Sequence, residues 1–517
     1  MIARQPLSLK QLGIIALLLL LQLFIRIHNA EVQDVFIDEG YHVTRGAIIW
    51  DFDQHPGRFA NGKLLLYYWL GIFETDPLVS LPISRIVIGL FSLVNGAALY
   101  LLGRYLHSYL AGILALGIYA VLPFAFFFER MVLADPFASV FVSLTVWRSL
   151  VFIRRPAWRE GAILGILLAL ATLAKLTMIL IPFLPAVGSI IYSSDWREWR
   201  KTYLPPLVVA AVVFILFWLP IVIPAVMALN TENQFIIVNP ENLQQLSESE
   251  PGEKLAEILP ELTAYTTPWV MAAAGLALFY LSFHPKTRKL GLFFVCWLLL
   301  LTFLSIVAAK VVRARYLMPV SSIIALVSAL ALARLWYESH RLIRSGAIVA
   351  AVVWLVTFAL PFAHTAVTHP DKLPLGSGEW NRYMSGKLSG EALRKAADTL
   401  NTSDPQAAHI YSTWGTCQLL YFYVDQEVTC LPVNVSMRTS LEDHFSEEIA
   451  PGDVAYVVLN GYSPLTDMRG YRWKFVAGYK RPNIDRPVEV WRVQKLFSGQ
   501  LQSTEASSAA RRGKLGK

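Results

Sequence analysis

Long apolar runs joined by short charged connections fill the first 366 residues. They lie near 12–28, 82–103, 109–128, 131–153, 161–193, 203–228, 264–283, 290–309, 316–335 and 345–365. A helix needs about 20 apolar residues to cross ~30 Å of hydrocarbon, so most runs predict one crossing. The run 161–193 is longer. At ~1.5 Å per residue it would reach roughly 50 Å, and Lys175 and Pro182 interrupt it. Arg154, Arg155 and Arg159 precede it; Arg197, Arg200 and Lys201 follow it. Basic clusters stay on the cytoplasmic side, so this run is expected to cross twice with Lys175 near the far face. The pattern thus predicts an α-helical polytopic membrane protein of about eleven transmembrane helices.

The remaining connections fit the same scheme. Arg4 and Lys10, Arg104, Lys286 with Arg288 and Lys289, and Arg341 with Arg344 fall inside. The external segments are then 29–81, around 129–130, 229–263, around 310–315, and everything from 367 onward. They hold cations that break the positive-inside bias: Arg45, Arg58, Lys63, Arg130, Lys175, Lys310, Arg313 and Arg315. Each alone can snorkel to the interface. Gathered on one face, they suit a shared anionic group.

From 367 the pattern changes. Strand-like stretches at 407–411, 454–459 and 488–493, a helical stretch at 391–400, and Gly/Pro/Asn turns between them predict a small α/β domain. The expected organisation is a transmembrane domain over 1–366 whose first external loop is 29–81. An extracytoplasmic α/β domain over 367–497 and a polar, disordered tail over 498–517 complete it.

Composition agrees. The 517 residues are 55% hydrophobic and 16% charged, where ordinary domains carry about 25% charge, and mean hydropathy is +0.48. The net charge of +8 says less than its placement. The first apolar run lacks a small-residue cleavage site and reads as an uncleaved helix. There is no P-loop, GxGxxG, zinc-type cysteine spacing or tandem repeat, and no nucleic-acid partner is expected. Cys296 lies in an apolar run; Cys417 and Cys430 share the polar C-terminal region and can pair if it is external.

The first loop carries the most suggestive chemistry. Asp38 and Glu39 follow the first run by about ten residues at the membrane face. Neighbouring side chains cannot share one helix face, so one carboxylate is expected to act while the other caps or orients. Alternatively, both only stabilise a helix N-terminus. A carboxylate shielded from water is a good general base toward a hydroxyl. His42, His55 and Arg58 share this loop and are candidates for a donor or acceptor site.

In the second external loop, Arg130 and Asp135 are further candidates for that site. An ionisable group at a span is functional by default; the plainer reading makes Asp135 an N-cap ahead of Pro136. Asp135 is also the candidate ligand for a divalent metal ion, and Glu129 with Arg130 reads as a local ion pair. Late in the membrane domain, Lys310, Arg313 and Arg315 with Tyr316 sit at the outer ends of two helices. Arginine matches phosphate oxygens; the plainer role is anchoring to lipid headgroups.

Taken together, the motifs resemble the glycosyltransferase C superfamily. Within it they resemble the protein O-mannosyltransferase family and its bacterial relatives, which include the lipid A aminoarabinose transferase. The matching pieces are Asp38-Glu39, Gly62-Lys63 with Leu66-Tyr67-Tyr68-Trp69-Leu70, Arg130 with Asp135, Leu173-Ala174-Lys175 with Pro182, and Arg315-Tyr316-Leu317-Met318-Pro319. They cover residues 1–340 in order. The resemblance implies inverting transfer of a sugar from a polyprenyl-phosphate donor to a hydroxyl on protein, lipid or polysaccharide, at the external face of a bacterial plasma (inner) membrane. It makes Asp38 the base. Lys63 becomes a phosphate contact, with Lys175, Arg313, Arg315 and Tyr316 as further donor contacts. Membrane lipids are the surroundings.

Two departures narrow the expectation. Aminoarabinose-type relatives carry Lys-Pro-Pro where Gly62-Lys63-Leu64-Leu65 stands, which weakens lipid A as acceptor. The loop 229–263 is too short for the β-trefoil-type insert of eukaryotic mannosyltransferases, so a bacterial-type enzyme is expected. A transporter or flippase of lipid-linked sugars would instead favour charges at the bilayer midplane. A non-catalytic envelope-binding scaffold would not need Asp38.

Overall fold

The computed structural model describes residues 6–51, 62–73, 77–227, 251–307, 313–403, 409–413, 415–431, 437–461, 468, 470–481 and 484–497. The chain divides into two compact units, one of residues 1–33, 42–74 and 82–376 and one of residues 34–41, 75–81 and 377–517. Part of the first loop therefore groups with the C-terminal residues, a division that hydropathy does not reveal.

The first unit is helical. Its early elements are α1 (Leu9–Ile27), α2 (Ile37–Ala47, divided between Tyr41 and His42), α3 (Leu64–Gly71), α4 (Pro77–Leu106, divided between Leu81 and Pro82), α5 (Tyr109–Val121) and α6 (Pro123–Phe128). They are followed by α7 (Ala134–Arg154), α8 (Trp158–Ala174) and α9 (Leu184–Tyr192). Ser8 and Gln11 close a reciprocal cap at the start of α1, which satisfies donors that a helix end leaves orphaned. Leu17, Leu20 and Phe24 on α1 are more than half exposed. Such a surface is unfavourable in water and suits lipid.

Five helices among the described residues are long and apolar enough to cross a membrane: Leu9–Val32, Val79–Leu106, Ala134–Arg154, Val320–Glu338 and Arg341–Thr368. Two bent pairs raise the number to 7, Trp196–Thr202 with Leu204–Pro220 (51°) and Gly252–Thr266 with Pro268–Phe283 (103°). The chain is an integral membrane protein, and the expected count of about eleven crossings goes beyond what these helices establish. Two long runs are broken where proline or polar residues predict it. The run 109–128 breaks at Leu122 before Pro123, because proline disfavours helical backbone in the residue ahead of it.

The run 161–193 ends its first helix at Lys175, whose backbone is extended (φ −158°, ψ 119°). It then makes a 3-10 stretch, Leu176–Phe183, before α9. A Cβ on Gly188 would lie 2.8 Å from Ile153 at the end of α7. The run therefore doubles back toward where it began.

The second unit is built on a mixed five-stranded sheet in the order β2-β1-β3-β5-β4. Its strands are β1 (His409–Thr413), β2 (Val428–Leu431), β3 (Val454–Asn460), β4 (Tyr471–Arg481) and β5 (Ile484–Lys495). β1 runs parallel to β2 and β3; β5 runs antiparallel to β3 and β4. Leu441, Phe445 and Ile449 of the helix Met437–Glu448 and its C-terminal turn pack on Tyr411, Leu431, Val457 and Val493. The expected helix is present as Glu391–Ser403. Cys417 and Cys430 form a disulfide with Cα atoms 5.4 Å apart. Closing a loop of that size stabilises by about 3 kcal/mol.

Candidate active site

In the second unit, the segment ahead of α2 is fastened like an added strand. Phe36 bridges Ser389 in antiparallel sense, Ile37 donates its N–H to Leu388 O (2.9 Å), and Gly390 donates to Val35 O (2.8 Å). Tyr423 Oη accepts from Val35 N–H at 2.8 Å, and Asp34 pairs with Arg394 at 2.6 Å.

This frame presents the two carboxylates unequally. Glu39 is fully buried and accepts from the Phe36 backbone N–H at 3.0 Å, the contact by which a glutamate in the first turn caps its helix. Asp38, one residue earlier, is half-buried. The sequence expects one capping and one acting group, and the capping contact falls to Glu39.

In the first unit, a basic cluster gathers from four stretches of chain. Leu176 donates its N–H to Gly62 O at 2.8 Å, which sets Gly62-Lys63 beside Lys175-Leu176. Lys63 Nζ lies 3.0 Å from His42 Nε2, and His42 Nδ1 lies 2.6 Å from Val132 O. A carbonyl only accepts, so Nδ1 carries the proton and Nε2 presents its lone pair to the ammonium. Tyr67 packs near the imidazole, ring centroids 5.8 Å apart.

Lys175 pairs with Asp135, both side chains at least nine-tenths buried, and its Nζ sits 4.6 Å from the Tyr316 ring centroid. Arg315 Cζ is 5.3 Å from the same ring. The turn Ala314–Leu317 that carries them follows Arg313. It is held to α7 by Ser139, which reaches Met318 Sδ at 3.0 Å.

Several expectations change. Asp135 does not N-cap α7; Leu133 holds that position, and the carboxylate turns to Lys175 instead. Among the described residues, no group of three or more His, Cys, Asp or Glu could hold a metal ion. Arg130 is fully buried and turns to backbone carbonyls. Its Nη1 lies 2.8–3.0 Å from the carbonyls of Ile25, Arg26 and His28, and Nη2 lies 2.9 Å from that of Asn29. It thereby satisfies the carbonyls that the end of α1 leaves open. Glu129 pairs not with Arg130 but with Arg26 at 2.8 Å, both side chains fully buried, and accepts from Tyr119. His55, Arg58 and Lys310 lie outside the described residues.

Residues 80–223 match the family described as dolichyl-phosphate-mannose-protein mannosyltransferase. Among solved structures, the fold is similar to ArnT from Cupriavidus metallidurans bound to undecaprenyl phosphate, with TM-score 0.59 and 16% identity over 94% of this chain and 98% of that one. The apo state of the same protein matches with TM-score 0.54 and 15% identity over 93% and 97%. The apo Archaeoglobus fulgidus oligosaccharyltransferase matches with TM-score 0.51 and 11% identity over 92% and 74%. No curated protein matches the chain in sequence. The resemblance read from the motifs is thus matched by the mannosyltransferase family model over residues 80–223, and the chain shares the fold of the ArnT structure over 94% of its length.

Proposed function

We propose that the chain transfers a sugar, with inversion, from a polyprenyl-phosphate donor to a hydroxyl acceptor at the extracytoplasmic membrane face. The observation that carries this reading is the convergence of Lys63, Lys175, Arg315 and Tyr316 on one place in the first unit. Their charge suits the phosphate of a lipid donor, and undecaprenyl phosphate is what the similar ArnT structure holds.

The acceptor O–H gives its proton to Asp38 as its oxygen bonds the anomeric carbon. The bond from that carbon to the phosphate oxygen breaks, and the polyprenyl phosphate leaves with the electron pair. Lys63, Lys175, Arg313 and Arg315 stabilise the growing phosphate charge. His42 holds Lys63 in place. Positioned proton transfer is worth roughly 10²–10⁴-fold in rate. The Cys417–Cys430 disulfide supports an oxidising, extracytoplasmic location for the second unit.

The test is to incubate the purified chain with a panel of polyprenyl-phosphate sugars and hydroxyl acceptors, and to follow cleavage of the sugar–phosphate bond. Bond cleavage with some member of the panel is expected. Movement of an intact lipid-linked sugar across vesicles, with no cleavage, would replace the enzyme by a transporter.

A further inference from the structure

We propose that the turn closed by Cys417–Cys430 is a positioning device for Asp38, holding the chain on either side of the base at two points. It rests on the reading of Asp38 as the general base.

The first point is Gly40, two residues after Asp38 on α2. A Cβ there would lie 2.9 Å from the Gln418 carbonyl oxygen and 3.4 Å from the Phe422 ring. Real Cβ atoms do not approach a backbone oxygen that closely, so helix and turn meet backbone to backbone where only glycine fits. Gln418 adjoins Cys417 in the one-turn helix Cys417–Leu420. The disulfide ties that helix to Cys430 on β2, and β2 pairs in parallel with β1.

The second point is Tyr423. Its N–H is held by Leu420 O at 2.9 Å at the end of the same turn, and its hydroxyl accepts from Val35 N–H at 2.8 Å. Gly390 completes this contact: a Cβ there would lie 2.6 Å from Tyr423 Oη and 3.1 Å from Val35 O. Asp38 thus lies in sequence between two residues that one disulfide-closed turn touches. Displacing a reacting group by about 1 Å can cost on the order of 10²-fold in rate, so a clamp on the backbone is a clamp on turnover. Gly40, Tyr423 and the disulfide act through Asp38 and touch no substrate.

The experiment uses the full-length chain and a polyprenyl-phosphate sugar that it cleaves. Gly40→Ala is expected to lower kcat about tenfold or more with the donor KM unchanged. Tyr423→Phe, which removes only the hydroxyl, is expected to lower kcat less. Reduction of the wild-type chain should lower kcat, and reoxidation should restore it. The double variant Asp38→Asn/Gly40→Ala should be no slower than Asp38→Asn alone.

If Asp38→Asn slows the reaction while Gly40→Ala and reduction both leave kcat intact, the clamp is overturned and the base stands. Should Gly40→Ala change kcat and KM together, the contact is structural and the proposal falls. If Asp38→Asn has no effect, the base assignment itself fails, and the clamp with it. Tyr423→Phe and reduction keep the test usable if Gly40→Ala does not fold.

Discussion

Leu176 donates its backbone N–H to the carbonyl of Gly62 across 2.8 Å. That one bond joins two segments more than a hundred residues apart, each carrying a lysine. Gly62 sits at φ +68°, and a Cβ there would lie 2.7 Å from Leu176 Cβ. No other residue meets both conditions without strain.

Donor affinity should therefore depend on Gly62 as well as on the cations. Gly62→Ala is expected to weaken donor binding about tenfold, a loss of ~1.4 kcal/mol. Lys63→Ala and Arg315→Ala each remove a charge-assisted contact worth roughly 1.5–3 kcal/mol. Equilibrium binding of a non-transferable polyprenyl phosphate reads all three, and unchanged affinity in the two alanine variants of the cations would disprove a phosphate site here.

The Asp135–Lys175 pair gives a stability signature. Lys175→Met leaves a buried carboxylate alone, which costs about 3–5 kcal/mol. Adding Asp135→Asn should recover much of that loss in thermal melts while turnover stays low. A double variant no more stable than Lys175→Met would mean that the pairing contributes little.

Asp38→Asn should slow single-turnover transfer by on the order of 10² or more and leave donor binding in place. Glu39→Gln is expected to act mainly on stability, by about 1 kcal/mol, as loss of a helix cap does. A reversed ranking would move the base to Glu39.

The cluster of Tyr411, His444 and Glu448 predicts acid sensitivity in the second unit. Burial alone would raise the Glu448 carboxyl. Hydrogen bonds from His444 and Tyr411, with the charges of His444 and His409, outweigh it and hold the group below its usual range. A depressed folded value means that the contribution is present above the unfolded value of ~4.3. It is lost as pH falls through the folded value. Protection of β1 amides in hydrogen exchange should therefore drop as pH is lowered below about 4, and Glu448→Gln should flatten that dependence.

Topology is checked by labelling. Cysteine introduced at Gly378 should react with an impermeant reagent from outside, and one at Ser194 only from inside. Labelling of Gly378→Cys solely from the cytoplasm would reverse the orientation.

The sequence disclosed the positions of helices, though not the number of crossings, because hydropathy is additive along the chain. Helices do start and stop near most of the apolar runs, and the break at Lys175 is present. Asp38 stood out because charge is scarce around it. What sequence could not show was pairing between distant residues. Arg26 and Glu129 meet across 103 positions, and each has a nearer plausible partner in the chain. The partners of Arg130 are backbone carbonyls, which every residue has, so no sequence signal marks them. Strand β4 escaped notice because it is an edge strand whose Arg472 and Lys474 face outward, which blurs a hydrophobic alternation.

The bond between Val35 and Tyr423 spans 388 positions, and this gives the molecule a temporal order. A chain made from its N-terminus emits the Asp38 segment early and its partners almost last. Until Tyr423, Arg394 and the stretch 388–390 arrive, residues 34–37 lack the contacts that fasten them. Non-local contacts of this length close late and slowly. An incomplete chain can insert its helices yet leave the Asp38 segment unfastened, so a truncated or stalled product would be embedded in the membrane without this frame.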